Sequence, residues 1–503
     1  MLPSLDGTTA SALWLSAPIA LPAVTGAAYA ALRRHVPTSW PGLLPPVAIL
    51  ISAVVLLPTV SGGAAVTAYG GVLRADALTV WMLLVVGAVA ALACATGPAY
   101  LAHERAAGHA TDRTARRYHL LVHAFLAAMC AAVLAGNLGV LWVAIEATTI
   151  VTAFLVGHRR TRASVEAAWK YVVICSAGIA LAFLGIVLLY YAARAAGIPE
   201  ASALDWPTLV AHAGRMDPAV TRLATALIVL GFGAKAGLVP LHAWLPDAHS
   251  QAPAPVSALM SGVLLSVSFA AVLRVKGIAD AALGPGYTQT LLAVAALLTL
   301  AVSAALLLGQ RDYKRMLAYS SMEHMSLIAL GAAIGTPLAL AAVLLHIAGH
   351  GLAKTVAFCA SGHLLHLRRT TRIGRVRGLL AHAPGLGAAF GLAVVALLGF
   401  PPFSLFASEL GIVRAGFAAG LGWLTALALL LVLTAFATLA LRTARMVLGP
   451  PPLAPGTPAV PVRLGPAAAL PLAAGLLACA ALGVSAGPLT DLLTAATAIL
   501  GGH

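Results

Sequence analysis

Charge is scarce in this sequence. Its 503 residues include 30 basic and 15 acidic side chains, and charged residues make up 9%, where a soluble chain carries about 25%. A water-facing surface cannot be covered with so few polar groups, which excludes a soluble enzyme. Cysteine is also sparse. Cys94, Cys130, Cys175, Cys359 and Cys479 stand singly with no CxxC pair, which argues against an iron–sulfur cluster, a structural zinc or a disulfide framework. There is no P-loop and no dinucleotide fingerprint. The opening MLPSLDGTTA contains an aspartate and no lysine or arginine. It therefore lacks the basic start of a cleavable signal peptide, and the first apolar stretch reads as a retained span.

What the chain has in abundance is apolar sequence. Hydrophobic residues reach 61% and mean hydropathy is +0.97, so the solvent is lipid. Apolar runs fall near 10–32, 45–61, 77–101, 119–136, 138–157, 165–192, 222–245, 255–275, 287–309, 316–335, 337–365, 385–413, 421–448 and 466–490. Runs of about 20 residues predict helices, because every backbone amide must be satisfied inside the bilayer. The expected fold is thus an all-α polytopic membrane protein of about 14 transmembrane helices.

The net charge of +15 does not point to nucleic acid, since the basic residues are strung along loops without a basic, aromatic-interleaved face. They set orientation instead. Loops after odd-numbered helices carry 20 of them, including Arg33, Arg34, Arg116, Arg117, Arg159 and Arg160; loops after even-numbered helices carry 7, including Arg74, Arg274 and Lys276. Both termini are therefore expected outside. Three lysines remain, Lys170, Lys235 and Lys354, all within expected helices.

A charged group at the bilayer centre costs about 3 kcal/mol on insertion scales, so it persists where it faces the bundle interior, finds a partner or lines a pathway. Glu146 lies deep in the fifth helix, as a structural glutamate or a proton carrier. Lys235 is flanked by Gly231, Gly233 and Gly237 and followed by Pro240 and Pro246, which predicts a seventh helix broken near the lysine. Its amine is either a switching proton carrier or half of a structural Lys–Glu pair. His346, His350 and Lys354 recur every four residues on one helix face, a ladder of groups able to relay protons. His at i and i+4 can also chelate, but no HExxH glutamate or cysteine completes a site, and no metal is expected. Glu409 follows Gly399, Pro401 and Pro402, so the twelfth helix is broken as well.

Spacing adds a repeat. Glu146 and Glu323–His324 are 177 residues apart, while Lys235 and Glu409 are 174 apart. Two inverted five-helix repeats would place charges this way. The expected division is residues 1–118 as helices one to three, 119–275 as the first repeat, 287–448 as the second, and 449–503 as the fourteenth helix. Lys170 either snorkels to the surface or pairs with Glu146. His242, Asp247 and His249 belong to the turn after the seventh helix, helping a proton in or out or only capping that turn.

The stretches GFGAKAGLVPLHAWLPDAHSQAPAPVSALMSG, QRDYKRMLAYSSMEHMSLIALG and HIAGHGLAKTVAFCASGHL resemble the proton-translocating antiporter-like membrane subunits of respiratory complex I, energy-converting hydrogenases and multisubunit Na+/H+ antiporters. Within that family, NLGVLWVAIEATTIVTAFLVGHRRTRASVEAAWKYVVICSAGIAL is most similar to the F component of hydrogenase-4. The resemblance implies that Glu146 and Lys235 form an input pair, that His350 and Lys354 form a central relay, that His324 connects, and that Glu409 is the charged residue of the second broken helix. Many relatives carry lysine or histidine in the eighth helix where Ser266 stands here. A serine holds no proton charge at neutral pH, so water would have to bridge Lys235 to His350.

The resemblance further implies a bacterial inner-membrane protein that translocates protons, with no cofactor of its own. Other membrane subunits, soluble redox subunits and lipid would be its partners, the redox subunits supplying the energy. Three alternatives stay open: a cation/H+ antiporter subunit moving Na+, the proton-channel subunit of an inorganic-carbon uptake complex with a zinc-bearing soluble partner, and a scaffold that has lost transport.

Overall fold

The computed structural model describes residues 7–31, 41–449 and 462–501; Arg33 and Arg34, counted above for orientation, lie outside them. Six long helices come first: α1 (Gly7–Ala31), α2 (Leu44–Ser61), α3 (Ala77–Ala106), α4 (Asp112–Leu134), α5 (Leu138–Val156) and α6 (Arg162–Ala195). A small hairpin of β1 (Val66–Ala68) and β2 (Leu73–Ala75) joins α2 to α3. The short α7 (Trp206–His212) precedes α8 (Pro218–Lys235) and α9 (Trp244–Gln251). Then α10 (Ala254–Leu259) runs through a π turn, Met260–Leu264, into α11 (Leu265–Leu283). The rest are α12 (Pro285–Gly309), α13 (Tyr313–Ile334), α14 (Pro337–Arg368), the short α15 (Leu379–His382), α16 (Pro384–Leu397), α17 (Ser404–Ala418), α18 (Gly422–Leu448), α19 (Pro466–Val484) and α20 (Thr490–Ile499).

Polar residues at the starts explain many boundaries. Asp76, Thr111, Asn137, Thr161, Asp217, Asp312 and Thr336 each accept a hydrogen bond from a first-turn amide, as N-caps do. Among the described residues, twelve helical stretches are long and apolar enough to cross a membrane. The tenth and twelfth expected spans fall outside that count. The tenth is α13, which carries Lys314, Arg315, Glu323 and His324 and is buried in protein along nearly all its length. The twelfth is divided into α16 and α17 by the break at 398–403.

Burial sorts the helices into a centre and a rim. The most apolar window of Ala254–Leu283 is 100% buried and that of Pro337–Arg368 is 89% buried, against 39% for α6 and 33% for α18. Rim helices turn Val143, Ile150, Phe154, Val173 and Leu433 outward, as a lipid-facing surface requires. Close packing of α6 on α8 depends on small residues. A Cβ on Gly231 would collide with the Gly178 carbonyl and with Ala182, and such contacts let membrane helices approach.

Two sequence expectations are corrected. Arg274 and Lys276 do not lie in a loop after the eighth helix; α11 continues to Leu283 and encloses both. Arg274 makes two bonds to Asp76, the N-cap of α3, and lies over the Trp206 ring at 4.8 Å. Lys276 pairs with Asp280. Paired in this way, the charges extend the helix instead of ending it. His242, Asp247 and His249 also do not share a turn, since Asp247 and His249 belong to a second half-helix, α9.

Candidate functional site

The first break sits where the sequence places it. α8 ends at Lys235, Gly237 takes φ +82°, and the chain is non-helical until Trp244. Carbonyls at the helix end gain side-chain partners: Trp244 Nε1 donates to Ala234 O at 3.0 Å, and Ser268 Oγ to Phe232 O at 2.8 Å, which also accepts from Ala236 N, as buried helix ends demand. Lys235 is fully buried. Its Nζ donates to Ile145 O at 3.2 Å and to the Thr149 hydroxyl, both on α5, and sits 5.6 Å from the centre of the Tyr171 ring. Glu146, on the same stretch of α5, accepts from Ser176 Oγ at 3.0 Å, and its Oε2 has no partner among the described residues. The two expected partners are thus neighbours without being ion-paired.

The central group gathers around α14. His346, His350 and Lys354 are all completely buried. Lys354 Nζ donates to Leu317 O at 2.8 Å and to the Ser320 hydroxyl. His324, on α13, bonds His346 through Nδ1···Nε2 at 3.1 Å, and His346 Nδ1 meets Ser408 Oγ at 2.9 Å. His324 also lies 5.2 Å, ring to ring, from His350. It therefore stands between the two α14 histidines, which spacing along one helix could not reveal. Among the described residues, neither nitrogen of His350 and neither of buried His249 has a hydrogen-bond partner. His249 stacks on Phe358 at 5.1 Å. Ser266 is buried just after the π turn with its hydroxyl unpartnered among the described residues, and within the turn Ser261 bonds Ser321 at 2.7 Å.

At the second break Gly399 takes φ +65°, and Glu409 of α17 packs its carboxylate against the glycine. His324, His346 and Glu409 each offer one ligand atom within 4.8 Å of the others. Two imidazoles and a carboxylate are a donor set for a borderline cation such as zinc. Spacing along the sequence pairs His346 with His350 as the possible chelate; the fold instead groups His346 with His324 of α13 and Glu409 of α17. Glu323 is 5% exposed and lies within electrostatic reach of Lys354 and Glu409.

The remaining candidates separate from this group. Lys170 pairs with Glu166 at 2.8 Å and Asp247 at 3.1 Å, and not with Glu146. Asp247 also holds Arg315, so it clamps α6, α9 and α13 together. His242 bonds Pro240 O at 3.2 Å. Nothing in the residue pattern singles out Thr149, Ser320 or Ser408, and a second polar cluster is equally unmarked. Glu104, 4% exposed, accepts from Arg159 at 2.6 Å and bonds His366 at 2.9 Å, and Lys314 is buried against the carbonyls of Ser250 and Ala252.

The two breaks can be compared directly. Gly237 and Gly399 are 162 residues apart, whereas Lys235 and Glu409 are 174 apart, because the lysine precedes its break and the glutamate follows its own.

Residues 135–436 match the family described as NADH:quinone oxidoreductase/Mrp antiporter, TM. The chain is 37% identical over 352 residues to a hydrogenase-4 component F homolog of Methylacidiphilum infernorum, covering 69% of this chain and 73% of that one. It is 31% identical over 374 residues to F(420)H(2) dehydrogenase subunit N of Methanosarcina mazei, covering 72% and 73%. In fold it is similar to a chain of the archaeal membrane-bound sulfane sulfur reductase (TM-score 0.84, 24% identity, 98% and 97% covered) and to one of the Mrp complex of Dietzia sp. DQ12-45-1b (TM-score 0.82, 24% identity, 98% of each covered). This chain belongs to the NADH:quinone oxidoreductase/Mrp antiporter transmembrane family, the antiporter-like membrane subunits of multisubunit complexes.

Proposed function

We propose that the chain is the proton-translocating subunit of a redox-driven complex of the hydrogenase-4 or complex I type, in a bacterial inner membrane with both termini outside. Protons arrive in the half containing Glu146 and Lys235, pass Ser266 by water to His350 and Lys354, and leave through His324, His346 and Glu409. The observation that carries this reading is the setting of the two buried lysines. Lys235 and Lys354 are each held by one carbonyl and one hydroxyl, and among the described residues neither has a carboxylate in ion-pair contact. An amine so placed has hydrogen bonds in either charge state and no carboxylate locking its proton. Shifting the Glu146 charge relative to Lys235 then changes how firmly the proton is held, which is how neighbouring subunits would drive the cycle. Redox subunits would supply the energy. The two broken helices support a division into inverted five-helix repeats, 119–275 and 287–448.

Proton pumping by the reconstituted complex after Lys235→Ala and Glu409→Ala tests the pathway; unchanged stoichiometry in both would sink it. Na+ is the weaker cargo on chemical grounds, because a hard cation calls for oxygen ligands and the grouped donors at the exit end are mainly imidazole nitrogens.

A further inference from the structure

On the rim of the molecule, α4, α5 and α6 leave a half-open groove of about 430 Å³. Its wall is apolar, and four wall residues face outward: Ile150 is 57% exposed, Phe154 51%, Val165 44% and Trp169 66%. Its polar groups are confined to one end. Thr114 and Arg117 come from the first two turns of α4, His158 and Arg160 from the connection between α5 and α6. Arg117 lies over the Phe154 ring at 5.3 Å. Among the described residues neither Arg117 nor Arg160 has an acidic partner: Asp112 is taken by Arg105, Glu166 by Lys170 and Glu104 by Arg159. Two uncompensated guanidiniums therefore cap an apolar trough.

The dimensions fit one leaflet. From Ile150 to His158 the groove follows the end of α5 and the short turn after it, eight residue steps or about 12 Å at 1.5 Å per residue, close to half of a hydrocarbon core of about 30 Å. Trp169 stands near the charged end, where amphipathic rings settle at a membrane interface. Basic pockets between transmembrane helices attract anionic headgroups, and guanidinium matches phosphate geometry.

We propose that this groove binds one anionic phospholipid, with its phosphate between Arg117 and Arg160 and an acyl chain along Phe154, Ile150 and Val172. The site is separate from the buried proton-carrying residues, so it stands or falls independently of them.

The test uses the full chain in its complex, placed in nanodiscs of phosphatidylcholine containing phosphatidylglycerol and then transferred to detergent for native mass spectrometry. Two arginine contacts predict that phosphatidylglycerol is retained over phosphatidylcholine by on the order of tenfold. That preference should vanish in Arg117→Gln/Arg160→Gln and persist in Arg463→Gln, which removes charge elsewhere. Brominated phosphatidylglycerol should also quench wild-type fluorescence more than that of Trp169→Phe, because bromine on the chain would touch Trp169. Equal retention of both lipids, a preference that survives the double substitution, or no quenching assignable to Trp169 would each overturn the site. The last is the result expected if a helix of a neighbouring subunit fills the groove.

Discussion

Gly399 and Glu409 meet across the second helix break, with the carboxylate packed against a glycine whose φ is +65°. The glycine is required twice, once by its backbone conformation and once by the side chain that occupies its Cβ position. Left-handed backbone costs an ordinary residue about 1–2 kcal/mol. Gly399→Ala should therefore lower thermal stability and displace Glu409, slowing proton translocation. Glu409→Gln should slow translocation while keeping stability near wild type. Thermal unfolding alongside a proteoliposome proton assay separates the two.

Lys235 owes its position to α5. Lys235→Met is expected to abolish translocation without preventing assembly. Thr149→Val removes a hydrogen bond to a charged group, an effect of about 1.5–3 kcal/mol, and should give slowed but measurable translocation. Wild-type rates in Thr149→Val would show that the hydroxyl does not position the amine.

The buried pair of Asp76 and Arg274 ties the start of α3 to α11. Leaving one member alone costs about 3–5 kcal/mol, and removing both charges is far milder. Arg274→Met should accordingly lower the unfolding temperature clearly, and Asp76→Asn/Arg274→Met should restore most of it while keeping a capping side chain on α3. No recovery in the double variant would mean that Arg274 matters through its stacking on Trp206 instead.

Added zinc should inhibit translocation by bridging His324, His346 and Glu409. His346→Gln and Glu409→Gln each remove a ligand, so any residual activity should tolerate more zinc. Inhibition curves that coincide for wild type and variants would place zinc elsewhere.

Lys170 is paired with Glu166 and Asp247 near the surface, where such bridges contribute about 0–1 kcal/mol. Lys170→Gln should leave translocation and stability nearly unchanged. A marked loss of pumping would mean that the lysine acts on Glu146 after all.

Much of this arrangement is legible in the sequence. Apolar runs mark the spans, and Pro240 and Pro401 lie in the two breaks, because helices in lipid leave few other ways to read such segments. What stays hidden is what depends on another helix. His324 seats itself between His346 and His350 only once α13 packs on α14, and Ser408 reaches His346 from α17. Hydroxyls such as Thr149 and Ser320 look like any others until a lysine finds them. Arg274 and Lys276 read as loop residues because their partners, Asp76 far away and Asp280 one turn on, are invisible to a count of basic residues.

The π turn at Met260–Leu264 has a consequence for heredity as well as for shape. One extra residue in a helix turns everything beyond it by about 100°. Ser266, Ser268 and Arg274 face their present neighbours only because that residue is there. A single-codon deletion within this turn would leave a regular, equally apolar helix that still spans the membrane. It would also swing Ser266 off its present face and pull Arg274 away from Asp76. The length of this segment should therefore tolerate less change than its composition, a bias that a library of one-residue deletions set against conservative substitutions would expose.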